Sequence, residues 1–298
     1  MLKNLLRSLT PNPLDRMLKK ARAKNQKRVL LFWNRGLGDI ALGLYAIVYR
    51  IREWIPDAEI TFLTRPNLAD GFHLLSSGEV LVAPKLKRGE EVDVTGVLED
   101  IGIDPARFDL IIEKPDPTYW VKWQLGKLTP VLHWKEKWNA LDEKYGLNSK
   151  ESYVGAHVQT ETDYAAWRNW PVDSWRALFE KTVKSGKKIL LFGFEKDPLF
   201  DMPGVIDLRG DTPLFELLAI IKNHCEALIV PDSGISSMVY FLKETFPIKH
   251  ISLWANPNMG ILKQNVSSPN PLLKHIPLIG KDENISNITV DEVYAQLK

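Results

Sequence analysis

The run Leu228-Ile229-Val230-Pro231 stops at Asp232-Ser233-Gly234, and Ile235-Ser236-Ser237 leads into a second apolar run, Met238-Val239-Tyr240-Phe241-Leu242. Apolar, β-branched residues cut short by an acid, a hydroxyl and a glycine predict a buried parallel strand, a tight turn and a helix start. Such a turn aims backbone N–H groups and the positive end of a helix dipole at whatever sits above it, commonly a phosphate. A loop of similar design stands far upstream. There Arg28-Val29-Leu30-Leu31-Phe32-Trp33 is followed by Asn34-Arg35-Gly36-Leu37-Gly38-Asp39. A helical pattern then runs from Ile40 to about Trp54, with Ala41, Leu44, Tyr45, Val48 and Ile51 on one face.

The same strand–turn–helix grammar fills both halves. After Pro56-Asp57, strands are predicted at Ala58–Leu63, around Val80–Val82 and at Asp109–Ile112. It restarts at Tyr153–Val158, then the helix Val172–Lys184, the strand Lys188–Phe192, the helix Pro213–Lys222 and the strands Ala227–Val230 and His250–Leu253. Alternation of this kind means parallel sheets covered on both faces. With 298 residues, two domains are expected. The polar, tryptophan-dotted stretch Lys127–Asn148 holds no clean strand and places the linker near 140–152. The expected division is a basic extension over 1–27, a Rossmann-like domain over 28–150 and a second over 151–298, facing one another across a cleft. Ligands in such sheets bind at the carboxyl ends of strands, so both special loops are expected to line that cleft.

Composition excludes several classes. The chain is 45% hydrophobic and 26% charged, as soluble globular proteins are. No apolar run approaches the roughly 20 residues of a membrane span. A net charge of +2 is too small for a nucleic-acid binder. The lone Cys225 rules out an intramolecular disulfide and suits a reducing cytoplasm. Residues 1–28 carry nine bases against one acid, Asp15, with Leu2, Leu5, Leu6 and Leu9 on one helical face; Met17 and Leu18 add apolar surface. They also lack the continuous apolar core of a secretory signal. Two readings stand: a solvated helical extension packed on its own domain, or an anchor to anionic lipid at the cytoplasmic face of a membrane.

Four places carry candidate chemistry. In Gly36-Leu37-Gly38-Asp39 the glycines permit close backbone approach; Asp39 either caps the helix or offers a general base. In Trp167-Arg168-Asn169-Trp170-Pro171, Trp170 and the later Trp175 read as packing residues, whereas the Arg168 guanidinium either holds a diphosphate or makes a surface salt bridge. Leu190–Phe192 ends in Gly193-Phe194-Glu195, and Glu195 is either a carboxylate for ribose hydroxyls or an exposed loop residue. The fourth is the Asp232-Ser233-Gly234 turn. Lysine-interleaved aromatics at Tyr119–Trp123 and Trp134–Trp138 read either as partly buried packing or as a surface for an acidic glycolipid. The six histidines are scattered, without metal-ligand spacing.

Taken in order, these elements resemble the ADP-heptose:lipopolysaccharide heptosyltransferases, glycosyltransferase family 9. The resemblance rests on Gly38-Asp39, Pro56-Asp57-Ala58, Arg168-Asn169-Trp170-Pro171, Gly193–Glu195, Gly210-Asp211-Thr212-Pro213-Leu214 and Asp232-Ser233-Gly234, over residues 28 to about 255. It implies a GT-B fold, two Rossmann-like doubly wound domains, with the acceptor on the first and the nucleotide sugar on the second. It also implies an inverting, metal-independent transfer with no cofactor, from a nucleotide diphosphate sugar such as ADP-heptose to a lipopolysaccharide core or other glycan acceptor. On this resemblance Asp39 is the base, with Gly36 and Gly38 shaping its loop. Arg168 meets the phosphates in place of the family's usual lysine, and Glu195 holds the ribose. Asp232, Ser233 and Gly234 line the diphosphate–sugar pocket, with Ser236 and Ser237 beside them. Ser237 stands where the family places a histidine and cannot carry its charge. A catalytically silent sugar-nucleotide-binding protein on the same fold is the alternative. A nicotinamide-dependent dehydrogenase fits poorly, since no third glycine follows Gly38 and Thr64, not an acid, ends the second strand.

Overall fold

The computed structural model describes residues 12–75, 78–160 and 163–298. The chain forms two compact α/β units that meet at Pro130/Val131.

The first unit is built on a four-stranded parallel sheet of β1 (Arg28–Phe32), β2 (Glu59–Thr64), β3 (Glu79–Val82) and β4 (Leu110–Ile112), in the order β3-β2-β1-β4. Val29, Leu30 and Leu31 are fully buried, as the β-branched and aliphatic run demands of a central strand. Strands are added on one side of β1 and then on the other, so the topological switch point lies between β1 and β4.

Before the sheet comes α1 (Pro13–Ala23), begun by Asn12, whose side chain accepts from the Leu14 N–H at 3.0 Å, and by Pro13 in the first turn. This helix is part of the first unit. Leu14, Leu18 and Ala21 are buried, and Asp15 receives Arg50 Nε at 2.7 Å and Nη2 at 2.8 Å. Arg50 belongs to α2 (Tyr45–Trp54), and its guanidinium holds the Asp15 carboxyl below the usual range. From Pro13 onward the extension thus follows the reading of a solvated helix packed on its own domain: Leu18 is core, and the bases Arg16, Lys19, Lys20 and Arg22 face water. Leu2, Leu5, Leu6 and Leu9 lie outside the described residues.

The second unit holds a six-stranded parallel sheet in the order β12-β11-β9-β6-β7-β8. Its strands are β6 (Tyr153–His157), β7 (Lys188–Phe192), β8 (Val205–Asp207), β9 (Cys225–Pro231), β11 (Ile248–Trp254) and β12 (Leu273–Ile279). Between them run α5 (Val172–Lys184), α6 (Leu214–His224), α7 (Gly234–Tyr240) and α8 (Gly260–Gln264), and α9 (Val290–Ala295) closes the chain with a capping box from Thr289 and Glu292. Trp170, Trp175, Phe179, Ile229 and Ile251 share one core cluster. The two tryptophans are packing residues, 5.1 Å apart and edge to face, and the Trp170 indole donates to the Ile288 carbonyl at 2.9 Å.

The division falls well before the expected linker at 140–152, and the reason is local. Strand β5 (Leu132–His133) pairs in parallel with β10 (Leu242–Lys243) of the second unit. Trp138 then stacks on Phe215 of α6 at 4.0 Å, with Trp134 edge-on at 5.2 Å. The tryptophan-rich stretch after Pro130 is thus a packed entry to the second unit rather than a tether. In the first unit Trp120 is buried, while Trp123 packs with Tyr49 and under the Arg50 guanidinium.

Candidate functional site

In the first unit the loop after β1 sits at the switch point. It is held from three sides. Asn34 is buried and donates to the Lys87 carbonyl, while the Gly89 N–H donates back to the Asn34 carbonyl at 3.2 Å. Arg65, buried just past β2, donates through Nη2 to the Arg35 carbonyl at 3.2 Å and through Nη1 to Asn67 at 2.6 Å. Below, Leu37 and Ile40 pack over Gly71 of α3 (Ala69–His73), where a Cβ would lie 2.8 and 2.6 Å from their methyl groups.

Asp39 does not cap the helix. Its backbone is already helical, and its Oδ2 turns back to accept the Gly36 N–H at 3.0 Å. That bond closes the loop as a small ring and fixes a half-buried carboxylate at the carboxyl edge of the sheet. Arg88 shares the place: a Cβ on Gly36 would sit 3.3 Å from Asp39 Oδ2 and 3.5 Å from Arg88 Nη2. Immediately after Asp39 the chain makes a π-helical turn over Ile40–Leu44 before α2 begins. Such bulges collect at functional sites. Within that turn Gly43 lets Pro117, in the loop after β4, approach closely, since any Cβ there would meet it at 2.4 Å.

In the second unit β7 and β8 are added on one side of β6, and β9 on the other, so the switch point lies between β6 and β9. The structure brings Arg168 and Asp232 together there. Arg168 Nη1 donates to the Asp232 carbonyl at 3.3 Å and lies 3.4 Å from its Oδ2, with both side chains largely buried at 17% and 12% exposure. The pair is neither a surface salt bridge nor an isolated guanidinium: it ties the loop after β6 to the turn after β9. Asn169, next to Arg168, accepts from the Thr160 N–H at 2.8 Å and so fixes the same loop from its other end.

The turn after β9 is built as the sequence predicts. Ser233 caps α7, its hydroxyl accepting from the Ser236 N–H at 3.3 Å. Gly234 is the first residue of that helix. Ser236 and Ser237, however, are each only 1% exposed, and the Ser236 hydroxyl lies 3.3 Å from His250 Nε2. These two serines look inward. Burial beside His275 pushes the His250 imidazole down to about 3, so that ring is neutral. Asp232 is pressed from above by α8: at Gly260 a Cβ would lie 2.5 Å from Asp232 Oδ1 and 2.6 Å from the Trp254 ring, and its φ is +48°.

Glu195 is exposed, on the loop after β7 at the same carboxyl edge. Its loop is clamped by Arg209, a residue that the sequence reading passed over. Arg209 is completely buried and donates to both Asp207 oxygens (2.9 and 2.7 Å), to the Pro198 carbonyl (3.0 Å) and to the Lys196 carbonyl (3.0 Å). Lys196 in turn pairs with Asp211 at 2.8 Å, and the Gly210 N–H donates to the Gly193 carbonyl at 2.9 Å, so the start of the Gly210–Leu214 segment lies against the Glu195 loop. The signal was present in the charged run Asp207-Leu208-Arg209-Gly210-Asp211, but it has meaning only once Val205–Asp207 is known to be a strand.

No protein-family model matches the chain, and no curated protein does. Solved structures are similar to it. The ADP-heptose lps heptosyltransferase II of E. coli shares 16% identity at a TM-score of 0.61, over 91% of this chain and 97% of that one. A glycosyl transferase family 9 protein from Veillonella parvula shares 16% identity at 0.57, over 91% and 95%. The E. coli heptosyltransferase WaaC with ADP shares 14% identity at 0.50, over 90% and 96%. The chain has the fold of these proteins, the GT-B fold expected from its sequence.

Proposed function

We propose that the chain is an inverting glycosyltransferase, moving a sugar from a nucleotide diphosphate donor to a hydroxyl of a lipopolysaccharide-core or other glycan acceptor. ADP-heptose is the donor we favour, because the similar E. coli structures include an ADP-heptose enzyme and a heptosyltransferase with ADP. The observation that carries the reading is the meeting of Arg168 and Asp232 at the β6/β9 switch point, the place where open α/β sheets bind nucleotides.

The roles follow from chemistry. Asp39 takes the proton of the acceptor hydroxyl as the new glycosidic bond forms. An ionised carboxylate has about four acceptor sites, and the ring closed by the Gly36 N–H sets the direction of this one. As the bond from the sugar to the diphosphate breaks, the sugar passes through an oxocarbenium-like state and negative charge grows on the leaving group. Arg168, oriented by Asp232, meets that charge with forked hydrogen bonds. Glu195, on its clamped loop, takes the ribose hydroxyls. Metal and cofactor play no part in this reading. The exposed bases of α1, with residues 1–11 before it, are the proposed contact with anionic lipid.

One observation favours the second reading, a silent sugar-nucleotide binder. With Ser236 and Ser237 turned inward, the donor loop offers a diphosphate fewer hydroxyls than its sequence suggests. A panel of nucleotide sugars in a thermal-shift assay tests the shared premise. At a hundredfold excess over Kd a ligand adds about 2.7 kcal/mol, which raises the melting temperature by roughly 5–10 °C. An ADP-sugar shift is expected; no shift with any member of the panel would overturn both readings.

A further inference from the structure

Strand β4, which follows α4 (Val94–Asp100), ends at Ile112, and a long loop then leads to Pro130 at the end of the first unit. That loop is pinned along its length. The Asp116 carboxylate accepts the Thr118 and Tyr119 N–H groups at 2.9 and 2.8 Å, and the Asn12 amide donates to the Trp120 carbonyl at 2.6 Å. Gln124 ends a 3₁₀ turn over Lys122–Gln124, and its N–H donates to the carbonyl of the buried Val121 at 3.0 Å. Its own carbonyl accepts from the Lys127 and Leu128 N–H groups, both at 2.9 Å.

This loop meets the π-helical turn after Asp39 at two places. Pro117 takes the space that Gly43 leaves. Gln124, only 1% exposed, donates through Nε2 to the Leu42 carbonyl at 2.8 Å. A carbonyl can only accept, so the amide nitrogen must face the turn. Its Oε1 is thereby buried with no hydrogen-bond partner. An orphaned acceptor costs free energy that a methionine of similar size would not. Packing alone would favour the apolar residue, so what is particular to glutamine here is the donor.

A donor aimed at a helix carbonyl from outside competes with the i→i−4 ladder and favours a wider turn. The wider turn holds one residue more than an α-helix, and α2 beyond it is fixed by the buried Ala46, Ile47, Val48 and Ile51. Closing Ile40–Leu44 to α-helical register would therefore turn Asp39 by about 100° and draw it about 1.5 Å along the axis. Either displacement takes Oδ2 off the Gly36 N–H. We propose that Gln124 is a positioning residue: its amide holds the Ile40–Leu44 turn in π-helical form and so aims the Asp39 carboxylate at the acceptor hydroxyl. This role rests on the reading of Asp39 as the acceptor's base.

Gln124→Met keeps the length and loses the donor. Its melting temperature should hold, because the orphaned oxygen goes with the lost bond, and its affinity for an ADP-sugar should stay within about twofold. Sugar transfer in a single turnover should slow by about 10²-fold, the cost of an ångström of misplacement at a reacting group. Gln124→Glu supplies the rescue. Burial raises the pKa of a carboxyl; protonated, it donates to Leu42 as the amide does, and ionised it cannot. The ratio of its transfer rate to that of wild type should climb as pH falls from 9 to 6, by at most about tenfold per unit. Amide exchange at Gly36 reads the geometry without turnover: in Gln124→Met its protection should fall about tenfold, the weight of a hydrogen bond to a charged acceptor. Transfer by Gln124→Met at the wild-type rate, a flat ratio for Gln124→Glu, or unchanged protection of Gly36 overturns the positioning role and leaves the glycosyltransferase standing. Absence of transfer by the wild-type chain to any acceptor refutes the glycosyltransferase instead, and exchange at Gly36 then still decides what holds the turn.

Discussion

Replacing Arg209 by methionine should destabilise the second unit more than any exposed arginine can. The side chain is 1% exposed and its partner Asp207 27%. Breaking a buried ion pair costs about 3–5 kcal/mol, because the surviving charge is stranded. Asp207 retains some access to water and still accepts the Arg209 backbone N–H at 3.0 Å, which puts its share at the low end, about 3 kcal/mol. The carbonyls of Pro198 and Lys196 lose donors as well, at about 1 kcal/mol for a bond that water does not replace. A total near 3–5 kcal/mol lowers the melting temperature of a unit this size by roughly 6–20 °C. Urea unfolding followed by circular dichroism measures it. The control is Arg176→Met: that arginine is exposed and donates to the neighbouring Leu199 carbonyl at 2.9 Å, so its loss should cost less than about 1 kcal/mol. If the two variants are equally stable, Arg209 is not the clamp described, and Glu195 has no fixed loop to act from.

Gly260→Ala should be destabilising, where a glycine-to-alanine change in ordinary backbone stabilises. Its φ of +48° alone costs about 1–2 kcal/mol for an alanine, before the contacts with Asp232 and Trp254 at 2.5 and 2.6 Å are relieved. Thermal melting reads the loss, and unchanged stability would show that α8 does not press on Asp232. A second expectation concerns pH. Burial pushes His157 down to about 4 and His250 to about 3, so the folded state keeps both rings neutral while the unfolded chain protonates them near 6.5. Their contribution is complete above pH 6.5 and declines as pH falls through that value toward the folded pKa values. At pH 5 each withdraws about 2 kcal/mol of stability. His275, also lowered by burial, acts in the same direction. Urea midpoints from pH 7.5 to 5 should fall accordingly; a flat profile in that window contradicts the neutral buried rings.

Central strands and the two switch-point loops were legible because apolar runs that end in Gly36–Asp39 and Asp232–Gly234 have few other uses. Both helix α5 and strand β7 fall where the periodicity puts them. What escaped the sequence did so for physical reasons. Strand β12 is an edge strand with Lys274 and Pro277 inside it, so it carries neither a continuous apolar run nor clean alternation. Strands β5 and β10 are two residues each and exist only through one another. Gly43 and Gly71 act by admitting Pro117, Leu37 and Ile40, contacts that no local pattern encodes. The same holds for the site. Arg168 and Asp232 were each legible, but their pairing spans 64 residues of sequence, and the inward turn of Ser236 follows from its contact with His250.

The most direct measurement is sugar transfer by Asp39→Asn, a change that keeps shape and can still accept the Gly36 N–H. Labelled sugar from ADP-heptose is followed onto a glycan acceptor in a single turnover, with ADP-sugar affinity measured alongside. Loss of a general base should slow transfer by about 10²–10⁴-fold while donor affinity stays within twofold of wild type, roughly 0.4 kcal/mol. Transfer by Asp39→Asn at the wild-type rate would contradict the assignment of the first-unit loop as the acceptor's base.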